Sequence, residues 1–83
     1  MKIQLRYFAS LREALGSAEA VELSAPCTLA ALRDMLIARG GKHAEVLARG
    51  RNVRCAVQLV MSDESVLLAD GAEVAFFPPV TGG

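Results

Sequence analysis

The chain has 83 residues with nine basic and nine acidic side chains, so its formal net charge is zero. A nucleic-acid-binding face needs an excess of Lys and Arg to displace counterions from phosphate, and this balance argues against nucleic acid as a partner. Hydrophobic residues make up 53% of the chain. A single domain of this size, residues 1–83, cannot bury so much apolar surface, which predicts an exposed patch that meets a protein partner.

The N-terminal third predicts two strands with a short helix between them. Residues 2–8 alternate between apolar and polar side chains, as in a half-buried strand. Residues 9–15 suit a short helix that ends at Gly16. Residues 19–24 predict a second short strand.

The main helix is predicted after Thr28, whose hydroxyl is suited to cap its N-terminus. Leu29, Leu32 and Leu36 recur at helical spacing and predict its buried side. The pair Gly40-Gly41 ends this helix, and residues 43–48 predict a further helical turn.

The C-terminal half predicts strands. Residues 53–61 alternate and form the longest strand candidate, and residues 66–68 are a short apolar run that predicts a minor strand. Residues 73–77 predict the last strand, which places Phe76 in the core and Phe77 on the opposite side.

This order of elements predicts an α+β roll in which a mixed sheet packs on one main helix. Pro78 and Pro79 end the last strand because neither can donate to a sheet ladder. Residues 80–83 form a tail of Val80, Thr81, Gly82 and Gly83.

The Gly82-Gly83 end suggests chemistry at the C-terminal carboxylate. Glycine has no Cβ, so a Gly-Gly segment is thin enough to enter a narrow channel of another protein. Transfer of the Gly83 carboxylate to AMP would make it a good acyl donor, and a sulfur nucleophile would then displace AMP to give a thiocarboxylate. From the residues alone, an inert flexible tail is the alternative.

The remaining reactive side chains predict structural roles. Cys55 is in phase with the apolar residues of its strand and is expected to be a buried structural thiol. Cys27 precedes a helix N-terminus, which can lower the pKa of a thiol, so a role in relaying sulfur is a minor alternative for it. His43 is expected in a solvated polar loop. A cluster of Arg49, Arg51 and Arg54 is expected to be a solvated face or to meet an acidic groove on a partner.

Compartment and ligands follow from what the sequence lacks. There is no CxxC pair, no secretory signal pattern and no apolar run of membrane-spanning length. We therefore expect a cytoplasmic protein with reduced thiols, no bound metal and no membrane partner.

The C-terminal residues resemble those of a known family. Phe76-Phe77-Pro78-Pro79-Val80-Thr81-Gly82-Gly83, preceded by Asp70-Gly71, is similar to the C-terminal signature of the molybdopterin synthase small-subunit family. The opening strand with Tyr7-Phe8-Ala9 also resembles the start of that family. Where some members read Ala-Val-Asn, this chain reads Ala56-Val57-Gln58, which departs from the pattern at a local contact.

The resemblance implies a ubiquitin-like β-grasp fold and a sulfur-carrier role in molybdenum cofactor biosynthesis. It implies that an activating enzyme uses ATP to adenylate Gly83, that a persulfide donor supplies sulfur, and that no cofactor is bound permanently. The tail would then enter the large synthase subunit and give sulfur to cyclic pyranopterin monophosphate, in an assembly of two small and two large subunits. The large subunit would hold most catalytic side chains, and Phe77 through Thr81 would bind that partner.

Three other functions remain open at this point. The first is a sulfur carrier of another pathway, such as that of the thiamine thiazole, although those chains are typically shorter and lack the Phe-Phe-Pro-Pro run. The second is a protein modifier that forms isopeptide bonds through Gly83. The third alternative is a non-catalytic interaction module with an inert tail.

Overall fold

Most helices and strands follow one another in the order that the sequence predicts. The computed structural model describes residues 1–24 and 26–78. The elements are, in chain order, β1 (Lys2–Tyr7), α1 (Ala9–Leu15), β2 (Ala18–Glu22), α2 (Leu29–Ala38), α3 (Gly41–Leu47), β3 (Arg54–Val57), β4 (Val60–Ser62) and β5 (Glu73–Phe77). Within the described residues, no helix combines the length and apolar composition needed to cross a bilayer.

Two strands from opposite ends of the sequence form the centre of the sheet. The strand order is β2-β1-β5-β3-β4. Strands β1 and β5 are parallel, and the other pairs are antiparallel. The mixed sheet that the sequence predicted is therefore confirmed, and the ends of β1 and β5 lie side by side.

The helix α2 supplies one side of the core. Leu29, Leu32 and Leu36 are each 0% exposed, as their helical spacing predicted. The cap is also confirmed, because Thr28 Oγ1 accepts a hydrogen bond from the Ala31 backbone N–H at 3.2 Å. The sheet meets these leucines with alternate side chains of its central strands, namely Ile3, Leu5, Tyr7, Val74 and Phe76.

The prediction of one long strand over residues 53–61 is wrong, because β3 and β4 form a hairpin. Gln58 and Leu59 make its two-residue turn at positive φ angles of 51° and 68°. Such turns usually carry Asn or Gly, so the sequence gives no turn signal here. The Gln58 backbone N–H donates to the Glu73 carbonyl oxygen at 2.9 Å, and the Gln58 side chain accepts from the Glu73 N–H. These bonds hold the turn against β5.

The minor strand predicted at residues 66–68 is also wrong. Leu67 forms only an isolated bridge with Thr28. The Leu68 N–H donates to the Cys27 carbonyl oxygen at 2.9 Å, and its side chain is buried. This segment therefore secures the start of α2 and does not extend the sheet.

Candidate functional site

The end of β5 presents an aromatic side chain on each side of the sheet. Phe76 is fully buried among the core residues, whereas Phe77 is half-buried on the other side, which we call the open face. The predicted division between the two residues is therefore confirmed. Pro78 follows outside the strand.

A second aromatic ring that sequence analysis missed lies against Phe77. The Phe8 and Phe77 rings stack with centroids 4.8 Å apart and an angle of 10° between their planes. Phe8 directly follows β1 and is 38% exposed. The signal in the sequence was an aromatic residue in phase with the polar positions Gln4 and Arg6, which alternation assigns to the open face.

Small and apolar side chains continue from this stack across the open face. Ala75 of β5 is opposite Ala56 of β3, and Ala56 is opposite Met61 of β4. Met61 is 56% exposed, whereas Ala56 and Ala75 are buried. We call Phe8, Phe77, Ala75, Ala56 and Met61 the docking face. A continuous apolar strip on a sheet face is typical of a protein-binding surface.

Charged residues border the docking face. Arg54 is directly opposite Phe77 in the β3–β5 pair and is exposed. Arg6 is opposite Ala75, and its Nη1 lies 3.9 Å from Glu73 Oε1. Both side chains of that pair are about half exposed, so the pair contributes little to stability.

The predicted tail residues Pro79, Val80, Thr81, Gly82 and Gly83 lie outside the described residues. Their roles therefore remain predictions from the sequence. What the structure shows is that Phe77 and Pro78, from which this segment continues, are at the edge of the docking face.

Comparison with known proteins identifies the family. The sequence matches the family model described as the ThiS family over residues 5–83, which includes the Gly-Gly end. The chain belongs to the ThiS family.

Curated relatives of this ThiS-family chain match it over nearly its full length. It is 40% identical over 82 residues to a protein of Escherichia coli named molybdopterin synthase sulfur carrier subunit, covering 98% of this chain and 99% of the relative. A protein of Haemophilus influenzae with the same name is 38% identical with the same coverage.

Solved structures confirm the ubiquitin-like β-grasp fold of this ThiS-family member. The small archaeal modifier protein SAMP1 of Haloferax volcanii is 26% identical with a TM-score of 0.73, and each chain is covered completely. A chain from the complex of subunits 1 and 2 of the molybdopterin-converting factor of Helicobacter pylori is 23% identical with a TM-score of 0.69 over the full length of both chains. At that identity, the second likeness shows the fold alone.

A buried arginine behind the β3–β4 hairpin also escaped sequence analysis. The Arg33 side chain is 4% exposed, and its Nη1 lies 2.7 Å from Glu64 Oε2. Its remaining nitrogens donate to three carbonyl oxygens at the end of α3 and just after it, those of Leu47, Ala48 and Arg51, at 2.7–3.0 Å. Position 33 is four residues after Leu29 and three before Leu36, so helical spacing places it on the buried side of α2, and only the charge of the residue concealed this signal.

The three arginines predicted to form one basic cluster have different surroundings. Arg49 pairs with Asp34 at 2.7 Å and with Glu64, and it donates to the Ala30 carbonyl oxygen. Arg51 and Arg54 have exposed side chains that form no ion pair with residues 1–24 or 26–78. Arg49 is thus exposed, as predicted, but its charge is paired inside the domain, so the three arginines do not form one cluster of free charges.

The prediction that His43 is in a solvated loop is wrong. His43 lies in α3, and its Nε2 is 2.9 Å from Glu19 Oε2. The same carboxylate accepts from the Tyr7 hydroxyl at 2.9 Å and from Arg39 Nη1 at 2.7 Å. Burial alone raises the pKa of Glu19, but the hydrogen bonds from His43, Arg39 and Tyr7 outweigh burial and lower the pKa to about 2.

Glu19 also affects the tyrosine that it binds. Burial, followed by the hydrogen bond and negative charge of Glu19, raises the pKa of Tyr7. The Tyr7 ring packs edge-on against His43, with centroids 6.3 Å apart, and stacks on Phe76 at 6.0 Å. The cluster therefore ties α3 to β1 and β2 and supports the core behind Phe76 and Phe77.

The two thiols have the locations that the sequence predicted. Cys55 is 3% exposed, and burial raises the pKa of its thiol to about 11. It is thus a structural residue rather than a nucleophile. Cys27 is half-buried and packs against the core. Among the described residues, no three His, Cys, Asp or Glu side chains are grouped to hold a metal ion.

Proposed function

We propose that this chain is the sulfur-carrier subunit of a molybdopterin synthase. The observation that carries the proposal is the 40% identity, over nearly the full length of both chains, to the Escherichia coli protein of that name. The family match extends through Gly83, so the proposal includes the tail as well as the folded domain. The apolar face beside the start of the tail supports a function that depends on protein partners.

The reactive group in this proposal is the carboxylate of Gly83. A free carboxylate is a poor electrophile at neutral pH, so a partner enzyme joins it to AMP from ATP and releases pyrophosphate. The outer sulfur of a persulfide donor then attacks the acyl adenylate and displaces AMP, which gives an acyl disulfide between the donor and Gly83. A second thiol attacks the donor sulfur of that S–S bond, so the donor and the second thiol are left as a disulfide and the terminus is released as a thiocarboxylate. This chain supplies no catalytic side chain, and ATP is a co-substrate of the activating enzyme.

The docking face orients the tail in the partner. Phe77 is the last residue of β5, the strand at the centre of the sheet, and stacks on Phe8. Binding of this stack in an apolar pocket therefore brings Pro78 and the residues after it to a defined place on the partner surface. Pro79, Val80 and Thr81 then extend toward the active site, which Gly82 and Gly83 enter because they lack a Cβ.

The proposed acceptor partner is the large synthase subunit, with two small and two large subunits in the assembly. Two sulfur atoms complete one dithiolene, and each small subunit delivers one atom to cyclic pyranopterin monophosphate. The solved Helicobacter pylori complex shows a protein of the same fold together with a second subunit of a molybdopterin-converting factor. An adenylating enzyme and a sulfur donor are the other partners, and the reactions take place in the cytoplasm.

Intact-mass measurement tests the proposed chemistry. The protein is incubated with the adenylating enzyme of the same cell, ATP and a sulfur donor, and the sulfurated product is then mixed with the large subunit and cyclic pyranopterin monophosphate. We expect the mass to increase by the difference between sulfur and oxygen at Gly83, and to return when molybdopterin forms. If the mass does not change while the Escherichia coli relative is converted in parallel, the carrier proposal is wrong.

A second candidate function is supported by the likeness to an archaeal modifier protein, which is 26% identical over the full length of both chains. In that function, the activated Gly83 forms an isopeptide bond with a lysine of a target protein. Both functions share adenylation, so the acceptor separates them. Arg54 is the last basic residue, so trypsin leaves residues 55–83 attached to a modified lysine. Detection of that branched peptide in digested cell extract would favour the modifier, whereas release of sulfur to the pterin would favour the carrier.

A further inference from the structure

The two edge strands of the sheet carry different side chains. On β2, Ala20 is exposed and the Glu22 side chain is 75% exposed. A charge on an edge strand discourages pairing with another chain. On the β3–β4 hairpin, Leu59, Val60 and Met61 are 89%, 65% and 56% exposed, and β4 contains neither a charged residue nor a proline. β4 is therefore an apolar edge without a charge to protect it from strand pairing.

The hydrogen bonds of β3 determine the direction of the main-chain groups on β4. The Gln58 N–H donates to the Glu73 carbonyl oxygen at 2.9 Å, so this N–H faces β5. In an antiparallel sheet, the main-chain groups of successive residues point to opposite neighbouring strands. Ala56 therefore also bonds β5, whereas Cys55 and Val57 bond their partners on β4.

Met61 is consequently the residue of β4 whose main chain faces outward. Its neighbours Val60 and Ser62 form the hydrogen-bonded pairs with β3, and Met61 is opposite Ala56 in a pair without hydrogen bonds. The Met61 N–H and C=O therefore point away from β3, to the edge of the sheet, where no further strand lies among residues 1–24 and 26–78. An extended segment of another protein is able to bond both groups.

This edge is too short to hold a partner by itself. Met61 provides only two main-chain hydrogen bonds, and a specific protein interface buries at least about 1,200 Å². A second copy of the chain, paired edge to edge, would extend the sheet sideways and leave the open face uncovered. The Met61 side chain, however, belongs to the docking face, because it is opposite Ala56 on the same side of the sheet. A partner that covers the docking face therefore also reaches the edge of β4.

We propose that an extended segment of the large synthase subunit adds a strand to β4, with main-chain hydrogen bonds to the N–H and C=O of Met61 and apolar side chains against Leu59 and Val60. This inference rests on the proposed function, since it concerns the same partner, and it adds the way in which that partner is recognised. Main-chain pairing fixes the direction of the partner segment relative to the sheet. It thereby fixes where the end of β5, which leads to Pro78, lies on the large subunit.

The binding test compares variants that remove one outward N–H from each edge. Met61→Pro removes the Met61 N–H without breaking a bond to β3, and Met61→Ala removes the same side chain but keeps the N–H. Ala20→Pro is the control at the other edge, because the Tyr7 N–H bonds the Ser17 carbonyl oxygen and the Ala20 N–H therefore faces outward. We expect Met61→Pro to raise the Kd for the large subunit roughly ten-fold above that of Met61→Ala, and Ala20→Pro to change Kd by less than about two-fold.

Amide hydrogen exchange of the unaltered chain tests the same bond without a substitution. NMR measures exchange at the Met61 N–H in the free chain and in the complex with the large subunit from the same organism. We expect fast exchange in the free chain at every concentration, because the group faces solvent. In the complex, exchange should be at least about ten-fold slower, because the group is then bonded to the partner strand. Thermal unfolding shows whether each variant keeps the fold.

The outcomes separate this inference from the proposed function. If Phe77→Ala weakens binding but the Met61 N–H exchanges equally fast in the free chain and in the complex, the docking face stands and strand addition is overturned. Equal Kd values for folded Met61→Pro and Met61→Ala would overturn it as well. Protection in the free chain that rises with concentration would show that the edge pairs with a second copy, which also contradicts the inference. If the unaltered chain does not bind the large subunit at all, the proposed function fails together with it.

Discussion

Nη1 of Arg33 lies 2.7 Å from Oε2 of Glu64, and this ion pair joins α2 to the segment between β4 and β5. Arg33 also binds the carbonyl oxygens of the segment that leads into β3. The Arg33 side chain therefore binds both the segment that precedes β3 and the segment that follows β4, and so anchors the β3–β4 hairpin.

Replacing Arg33 is expected to destabilise the domain by about 2–4 kcal/mol, because Arg33→Met leaves buried carbonyl oxygens without donors. Urea unfolding followed by circular dichroism measures the change. Arg51→Met is the matched control, because Arg51 is exposed, and it should change the free energy of unfolding by less than about 0.5 kcal/mol. Equal stability of both variants would show that Arg33 is not the anchor of the hairpin.

Replacing Glu19 by Gln is expected to destabilise the protein by about 1–2 kcal/mol at neutral pH, since three hydrogen bonds converge on the carboxylate. The folded-state pKa lies below the ordinary value, so the contribution of the charged form is complete above about pH 4.5 and is lost as the pH falls toward the folded pKa of about 2. Urea unfolding at several pH values measures this effect. The free energies of unfolding of Glu19→Gln and of the unaltered chain should approach each other as the pH falls from about 4.5 toward 2. Glu22→Gln, at a carboxylate that is 75% exposed, is the control. If Glu19→Gln lowers the free energy of unfolding by the same amount at every pH, the assignment of a lowered pKa to Glu19 is contradicted.

Replacing Phe77 by Ala is expected to weaken binding of the large subunit by about 1–2 kcal/mol, as for an aromatic anchor at an interface. Calorimetry of the complex measures this loss. Leu67→Ala removes another exposed apolar side chain, one that is 71% exposed beside Thr28, and should leave binding unchanged. A Phe77→Ala variant that binds normally but unfolds at a lower temperature would show that Phe77 is a core residue.

Changing the end of the tail is expected to abolish sulfur transfer without affecting the fold. Deletion of Gly83, or addition of one residue after it, moves the reactive carboxylate out of the position where the activating enzyme joins it to AMP. Intact mass after the sulfuration reaction reports the chemistry, and thermal unfolding reports the fold. Sulfur transfer by either variant at the unaltered rate would exclude Gly83 as the reactive terminus.

Replacing Leu59 by Gly is expected to stabilise the domain by about 0.5–1 kcal/mol. Leu59 has a φ angle of 68° and is 89% exposed, so glycine relieves backbone strain and loses no core contact. Thermal unfolding measures the gain. Val60→Gly, the same change at the neighbouring residue of β4, should destabilise the domain. Glycine relieves no strain within a strand, and it increases the conformational freedom that the chain loses on folding. Destabilisation by Leu59→Gly would show that the leucine side chain makes a stabilising contact.

The sequence by itself determined the features that depend on local pattern and on the tail. Alternation placed the core side chains of β1 and β5, and the Thr28 hydroxyl and leucine spacing located α2. It also suggested the chemistry of Gly83, because that inference depends on the types of residue at the end of the chain and not on folding.

Only the tertiary structure decided which distant residues meet. Phe8 and Phe77 come from opposite ends of the chain, and they stack because β1 and β5 are parallel neighbours. Arg33 is buried because the segment after α3 offers it carbonyl oxygens, and the hairpin turn at Gln58 is stabilised by β5. Periodicity reports whether a residue is buried along its own element, whereas these contacts depend on strand order and packing across the whole sheet.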